Sequence, residues 1–216
     1  MHSKAQFRSF ILGMLLLALL LEMGATGQQH PAPSPTPVPF QWDPRKAEQV
    51  DYRHTIGNAP ELSPADRVAL IKAVAAELHQ IDLANNSEQQ IRDAATDMPI
   101  AVVDLNGDGA PDILAQSAGA NSGCSPTGNC PFWVFQRARG EYSVLLESEA
   151  QLFRVQATRT SGFRDIVVSR HMSAFQSEVI EYKFDGTAYK ASGCYEFLWG
   201  DADHEFQPPR TTPCPT

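Results

Sequence analysis

No cysteine precedes Cys124, and none of the four present (Cys124, Cys130, Cys194, Cys214) forms a C-x-x-C pair. That spacing is wrong for a zinc knuckle and leaves no thiol near the N-terminus for a lipid anchor. Basic residues are scarce, 17 Lys and Arg against 25 Asp and Glu, for a net charge of −8. An acidic chain repels phosphate backbones and anionic lipid, so nucleic-acid and membrane-surface partners are excluded as first readings. H-E-x-x-H, P-loop and dinucleotide fingerprints are missing, as is the G-x-S-x-G elbow. A run long enough to span a bilayer is missing too. The longest apolar stretch, Phe10 to Leu21, is ended by Glu22, well short of the ~20 residues required.

That stretch reads instead as a secretory signal over residues 1–27. His2, Lys4 and Arg8 supply the basic start, and Ala25-Thr26-Gly27 the small residues before a cleavage point near Gln28. Removal of Lys4, Arg8 and Glu22 leaves a net charge of −9. Pro31, Pro33, Pro35, Pro37 and Pro39 then alternate with small residues. Proline fixes φ and lacks an amide donor, so residues 28–39 are expected to be an extended spacer. With the signal cleaved the spacer is a loose tail and the protein is secreted or periplasmic, off the membrane; with it retained, a stalk on a membrane tether. Residues 40–216 form the exported domain, its core spanning about 62–195. Four cysteines in an exported domain read as disulfides. Of the three possible pairings, Cys124–Cys130 and Cys194–Cys214 are favoured because each closes a short loop.

Ser63-Pro64-Ala65-Asp66 has the composition of a helix start: a capping hydroxyl, a proline suited to the first turn and an acid at the positive end of the dipole. Val68, Ile71, Val74, Leu78 and Ile81 recur at helical spacing and predict the buried stripe. Ser87 with Gln90 predicts a second capping box and a short helix to about Ala95. Asn85-Asn86-Ser87 is also a formal glycosylation sequon, but the capping role of Ser87 is preferred. Beyond Asp97 the pattern turns to strands, at 98–104, 112–118, 131–137, 142–147, 151–156, 164–170, 177–184 and 187–192. Arg139-Gly140, Ser161-Gly162 and Asp185-Gly186 mark tight turns between them. Short links mean antiparallel neighbours. The predicted class is therefore α+β, with N-terminal helices packed on a mostly antiparallel meander in a single domain. Phe132, Trp133 and Phe135 put apolar groups on both faces of one strand, which marks it as central and buried.

The strongest chemical signal is Asp104-Leu105-Asn106-Gly107-Asp108-Gly109-Ala110-Pro111-Asp112. Side-chain oxygens recur at positions 1, 3, 5 and 9, and Gly109 falls at position 6, where a calcium loop turns sharply. The carbonyl of Ala110 would supply position 7. Position 12, a bidentate Glu in an EF-hand, is Ala115. The loop is therefore not an EF-hand, and its flanks read as strands. It resembles the calcium loop of an FG-GAP (integrin-type) repeat, D-x-N-x-D-G-x-x-D. That resemblance implies Ca²⁺ bound by the side chains of Asp104, Asn106, Asp108 and Asp112 and the carbonyl of Ala110. It covers about thirteen residues and occurs once, too little for a propeller. From about Leu62 to Tyr195 the chain is also similar to a group of uncharacterised bacterial secreted proteins, which implies export and brings no activity. A loop without the twelfth-position carboxylate is expected to bind weakly, ~10⁻⁴–10⁻³ M, in a structural role.

Two other groups carry potential chemistry. Asp201, Asp203 and His204 could hold a metal, but their composition is that of a solvated acidic segment. Asp165, Arg170, His171 and Ser173 lie close in sequence, yet Arg170 and Asp165 are five apart and face opposite sides of a strand. No residue is therefore assigned as catalytic. The expected function is a non-enzymatic binding or structural module engaging a protein or envelope component, with an extracytoplasmic hydrolase or a secreted enzyme inhibitor as rivals.

Overall fold

The structure, a computed structural model, describes residues 50, 52–81, 86–118, 123–201 and 203–215. All of them belong to one compact unit, Pro39–Thr216. The expected signal and spacer, the first ten residues of the exported domain (40–49) and Asn85 of the sequon lie outside the described residues.

Two helices open the described chain after a two-residue strand, β1 (His54–Thr55). Helix α1 (Pro64–Gln80) begins as its sequence dictates: the Ser63 hydroxyl accepts the Asp66 amide at 3.1 Å, and Pro64 occupies the first turn. Asp66 also accepts a 2.6 Å hydrogen bond from Arg137 Nε, tying α1 to the neighbouring sheet. Helix α2 (Glu88–Thr96) carries the full capping box, with the Gln90 amide donating to Ser87 and the Ser87 amide to Gln90 Oε1. The predicted stripe on α1 needs correction. Leu70, Val74 and Leu78 are the buried row, Ile71 and Ile81 only flank it, and Val68 is 70% exposed. Val68 and Leu70 are two residues apart, hence ~200° around the helix. Only one can face the sheet, and the i, i+4, i+8 row through Leu70 joins the buried cluster that includes Ile100, Ile113 and Trp133 of the sheet.

Nine further strands follow: β2 (Pro99–Val103), β3 (Asp112–Gln116), β4 (Cys130–Ala138), β5 (Glu141–Ala150), β6 (Leu152–Thr160), β7 (Phe163–Ser173), β8 (Gln176–Phe184), β9 (Tyr189–Gly200) and β10 (Glu205–Pro213). Every pairing is antiparallel, as the short turns require. The meander is not one sheet, however. It divides after Ala150 into two five-stranded sheets, β1-β2-β3-β4-β5 and β10-β9-β8-β7-β6. The β4–β5 and β6–β7 turns carry positive φ at both central residues, Arg139-Gly140 and Ser161-Gly162, the backbone that matches the twist of two-residue hairpins.

Alternation along the strands builds two cores around the first sheet. One face, Ile100, Ile113, Ala115, Trp133 and Phe135, receives the helices. The other, Ala101, Leu114, Phe132 and Val134, packs on Phe153, Ile166, Val168 and Phe184 of the second sheet. Phe132 stacks on Phe153 with ring centroids 4.9 Å apart. Trp133, Phe132 and Phe135 are fully buried, as a central strand with two apolar faces demands. Each such side chain contributes roughly 1.5–3 kcal/mol on burial, and β4 supplies them to both cores. A third cluster, Val167, Val179 and Phe197, lies on the far face of the second sheet.

Both favoured disulfides form, Cys124–Cys130 and Cys194–Cys214. Two cystines indicate an oxidising, extracytoplasmic setting. Among the described residues no helix is long and apolar enough to cross a membrane. The second cystine fastens a strand not foreseen in the sequence: β9 runs on past Ser192 to Gly200, and β10 pairs with it. The segment read as an acidic tail is thus the β9–β10 turn followed by an edge strand.

Candidate functional site

The Asp104–Asp112 segment connects β2 to β3 at one end of the first sheet. Its backbone is shaped by its own side chains. Asp104 accepts the Gly107 amide at 2.6 Å through Oδ1 and the Gly109 amide at 3.0 Å through Oδ2. Asn106 Oδ1 accepts the Asp108 amide, and Asp108 Oδ1 accepts the Ala110 amide at 2.7 Å. The side-chain amide of Asn106 donates to Asp108 Oδ2. Gly107 and Gly109 have φ of +82° and +79°, a conformation in which a Cβ would be strained.

Asp112 differs from its neighbours. It opens β3, is 3% exposed, and its Oδ2 accepts the buried Leu105 amide at 2.9 Å. Burial pushes its carboxyl up to about 6; the Leu105 amide opposes the rise, and repulsion from Asp108 and Asp104 adds to it. Asp104 moves the other way. Partial desolvation works against its charge, but the amides of Gly107, Gly109 and Asp108, with the Arg159 guanidinium, hold it below the ordinary carboxylate range.

Leu105 joins the loop to the second sheet. Its side chain is fully buried in the inter-sheet core. Its carbonyl accepts both Arg159 Nη1 at 2.8 Å and the Arg164 amide at 2.9 Å. Arg159 Nη1 also reaches the Gly162 carbonyl. The loop is thus bolted to the β6–β7 hairpin by one side chain and two hydrogen bonds. Sequence reading missed Arg159, because nothing local marks an arginine fifty residues away as a partner.

The side-chain oxygens of Asp104, Asp108 and Asp112 do not all lie within 4.8 Å of one another; the two described groups that gather so closely are elsewhere. One is Asp201, Asp203 and His204, all exposed. There Asp201 Oδ1 accepts the amides of Asp203 and His204, which explains the turn without an ion. The other is Glu178 beside the Cys194–Cys214 cystine, whose sulfurs are already bonded to each other.

The Asp165–Ser173 group does not converge. Asp165 is buried within β7 and His171 lies six residues along the same strand, ~20 Å away at ~3.4 Å per residue. Arg170 pairs with Glu178 on β8 at 3.2 Å and Glu149 on β5 at 3.6 Å. The His171 backbone is occupied differently. Its amide donates to Asn129 Oδ1 at 2.6 Å, and its carbonyl accepts Asn129 Nδ2 at 2.9 Å. Asn129, buried beside Cys130, therefore clamps the small disulfide loop to the second sheet. Asn129→Ala would strand both His171 groups, and a loss of about 2 kcal/mol is expected in urea unfolding. A change below ~0.5 kcal/mol would mean that water replaces the clamp.

The chain matches no family model, no curated protein and no solved structure.

Proposed function

We propose that this domain is a non-enzymatic binding module working outside the cytosol, with one Ca²⁺ clasped by the Asp104–Asp112 loop as a structural ion. The observation that carries the ion is a charge imbalance. Asp104, Asp108 and Asp112 share one short loop, and Asp112 is buried there with its carboxyl raised by burial and by the two other acids. A divalent cation would cancel that repulsion. The donor set is all oxygen, the chemistry of a hard cation.

The amide bonds within the loop are compatible with that role. A carboxylate oxygen has two lone pairs, so an oxygen accepting an amide keeps one for a metal. Asp104, Asn106, Asp108 and Asp112 would close in from their present spacing to hold the ion through side chains, with Ala110 supplying its carbonyl. The likeness to an FG-GAP loop supports the same assignment. Once held, the ion would stiffen the β2–β3 link and, through Leu105 and Arg159, the seam between the sheets. The partner would be a protein or envelope component.

Isothermal titration of the disulfide-bonded chain with CaCl₂ tests the site. One ion per chain is expected, with Kd in the ~10⁻⁴–10⁻³ M range. Asp108→Ala is exposed enough to fold normally and should remove the heat. Unchanged binding in that variant, or no heat from the parent protein at millimolar calcium, defeats the assignment.

A further inference from the structure

Among the described residues, strand β2 is paired along only part of its outer side. His54–Ile100 and Thr55–Pro99 are its whole ladder with β1. The Ile56 amide donates to the Met98 carbonyl at 3.0 Å, so Met98, Ile100 and, by two-residue alternation, Val102 turn their backbone groups to that side. Ala101 and Val103 turn theirs to β3, opposite Leu114 and Asp112. Tyr52 and Arg53, which a continued ladder would place opposite Val102 and Ala101, belong to no strand. Among the described residues nothing pairs with the outward N–H and C=O of Val102.

A groove of 390 Å³ lies along this edge, with Val50, Arg53, His54, Glu61 and Val102 among its lining residues. The second sheet contributes Val155 and Arg164. Its edge strand β6 leaves the β7 ladder after Val155 and rejoins it at Arg159. Arg164 fills the gap, donating from Nε to the Gln156 carbonyl at 2.8 Å and from Nη2 to the Val155 carbonyl at 3.4 Å. These acceptors are neutral. Among the described residues no carboxylate pairs with Arg164, so its guanidinium keeps its charge at the second-sheet side of the groove, with Glu61 as the acid among the lining residues.

We infer that the β2 edge binds an extended acidic peptide as an added strand, with peptide backbone on Val102 and a peptide carboxylate at Arg164. Exposed ladder groups supply affinity in this mode and alternate side chains supply selection. Val50 and Val155 would take the apolar side chains of the peptide. A second copy is the poorer occupant, since antiparallel pairing of two β2 edges brings the Arg164 guanidinium groups of both copies to one seam. The inference rests on the binding-module reading and is independent of the calcium loop.

Fluorescence anisotropy with the disulfide-bonded chain tests it, using a labelled Thr-Val-Glu-Val-Glu-Val-Thr amide. Binding should appear below about 1 mM and weaken as salt rises. Arg164→Met, which keeps the aliphatic stem, should weaken it by ~10-fold. Val102→Pro removes the outward amide and should abolish it. Because that variant could misfold, two peptides N-methylated at alternate residues are measured on the parent protein, and one of them must lose binding. No binding by the parent protein, equal binding of the Lys-for-Glu peptide, or full binding of both methylated peptides overturns the inference. So does a dimer in sedimentation velocity that Val102→Pro dissolves, which would make a second copy the occupant. Calcium titration of the same sample reads the loop separately, so failure of one assignment is visible beside survival of the other.

Discussion

Adding 10 mM CaCl₂ to chelator-treated protein at pH 7 is expected to raise its melting temperature by several degrees. A ligand that binds only the folded state stabilises by RT ln(1 + [L]/Kd), about 2.7 kcal/mol at a hundredfold excess over Kd. For a domain of this size ~1 kcal/mol moves the midpoint by about 2–4 °C, so a shift of roughly 5–10 °C follows at the tighter end of the affinity range. Asp108→Ala should melt at one temperature with or without calcium, and MgCl₂ should do little, because Mg²⁺ demands stricter geometry and gives up water reluctantly. An equal response to both cations, or to NaCl at matched ionic strength, would reduce the effect to screening of an acidic surface.

Protons should oppose the ion, and Asp112 is where. Its carboxyl titrates near 6 in the folded chain and near 3.9 when unfolded. A raised folded value means that the folded state holds the proton more tightly. This group's contribution is therefore complete below about pH 4 and is lost as pH climbs through 6, on the order of 2 kcal/mol in all. Metal-free protein should lose that amount between pH 4 and pH 7, whereas Asp185 and Asp201, whose carboxyls are lowered chiefly by backbone amides, cost stability mainly below pH 4. Asp112→Asn isolates the term: the difference in stability between parent and variant should change across this window and flatten above pH 7. Calcium must displace the same proton, so apparent affinity should fall up to tenfold per unit below pH 6. A pH-independent affinity between 5 and 7 would show that Asp112 is not a ligand.

What the sequence made legible was local. Ser63, Ser87 and Gln90 cap helices through bonds three residues long, and Arg139-Gly140 and Ser161-Gly162 turn hairpins within two residues. Both cystines close loops short enough to be favoured on separation alone. The division into two sheets was hidden because a meander has the same turns whether it continues or folds over. Only the packing of Phe132 on Phe153 reveals the change. Helical spacing on α1 allows two overlapping rows, so Val68 reads as buried from the sequence, and the choice between the rows belongs to the sheet face across the interface. Of the candidate site, the oxygen-bearing side chains and the turn glycines could be read directly. The burial of Asp112 and the reach of Arg159 and Asn129 could not, since each depends on strands that are distant in the chain.

Leu105 should prove the most sensitive residue of the loop, although it offers no ligand side chain. It is fully buried between the sheets, and its amide and carbonyl are committed to Asp112, Arg159 and Arg164. Leu105→Ala leaves the backbone bonds possible but opens a cavity, at a cost of about 3 kcal/mol, or roughly 6–12 °C in the melting temperature. The coupling to the ion is the sharper test. Without its anchor the loop must be ordered at the expense of binding energy, so calcium affinity should fall together with stability. Arg159→Ala should separate the two. It removes two hydrogen bonds and about 1–2 kcal/mol of stability, yet it also removes a positive charge that faces Asp104 and competes with the cation. Stability should therefore fall while calcium affinity holds or rises about twofold. If both variants lose affinity in proportion to stability, the loop responds only to the general integrity of the fold; if Leu105→Ala leaves affinity untouched, the clasp between loop and second sheet has no part in holding the ion.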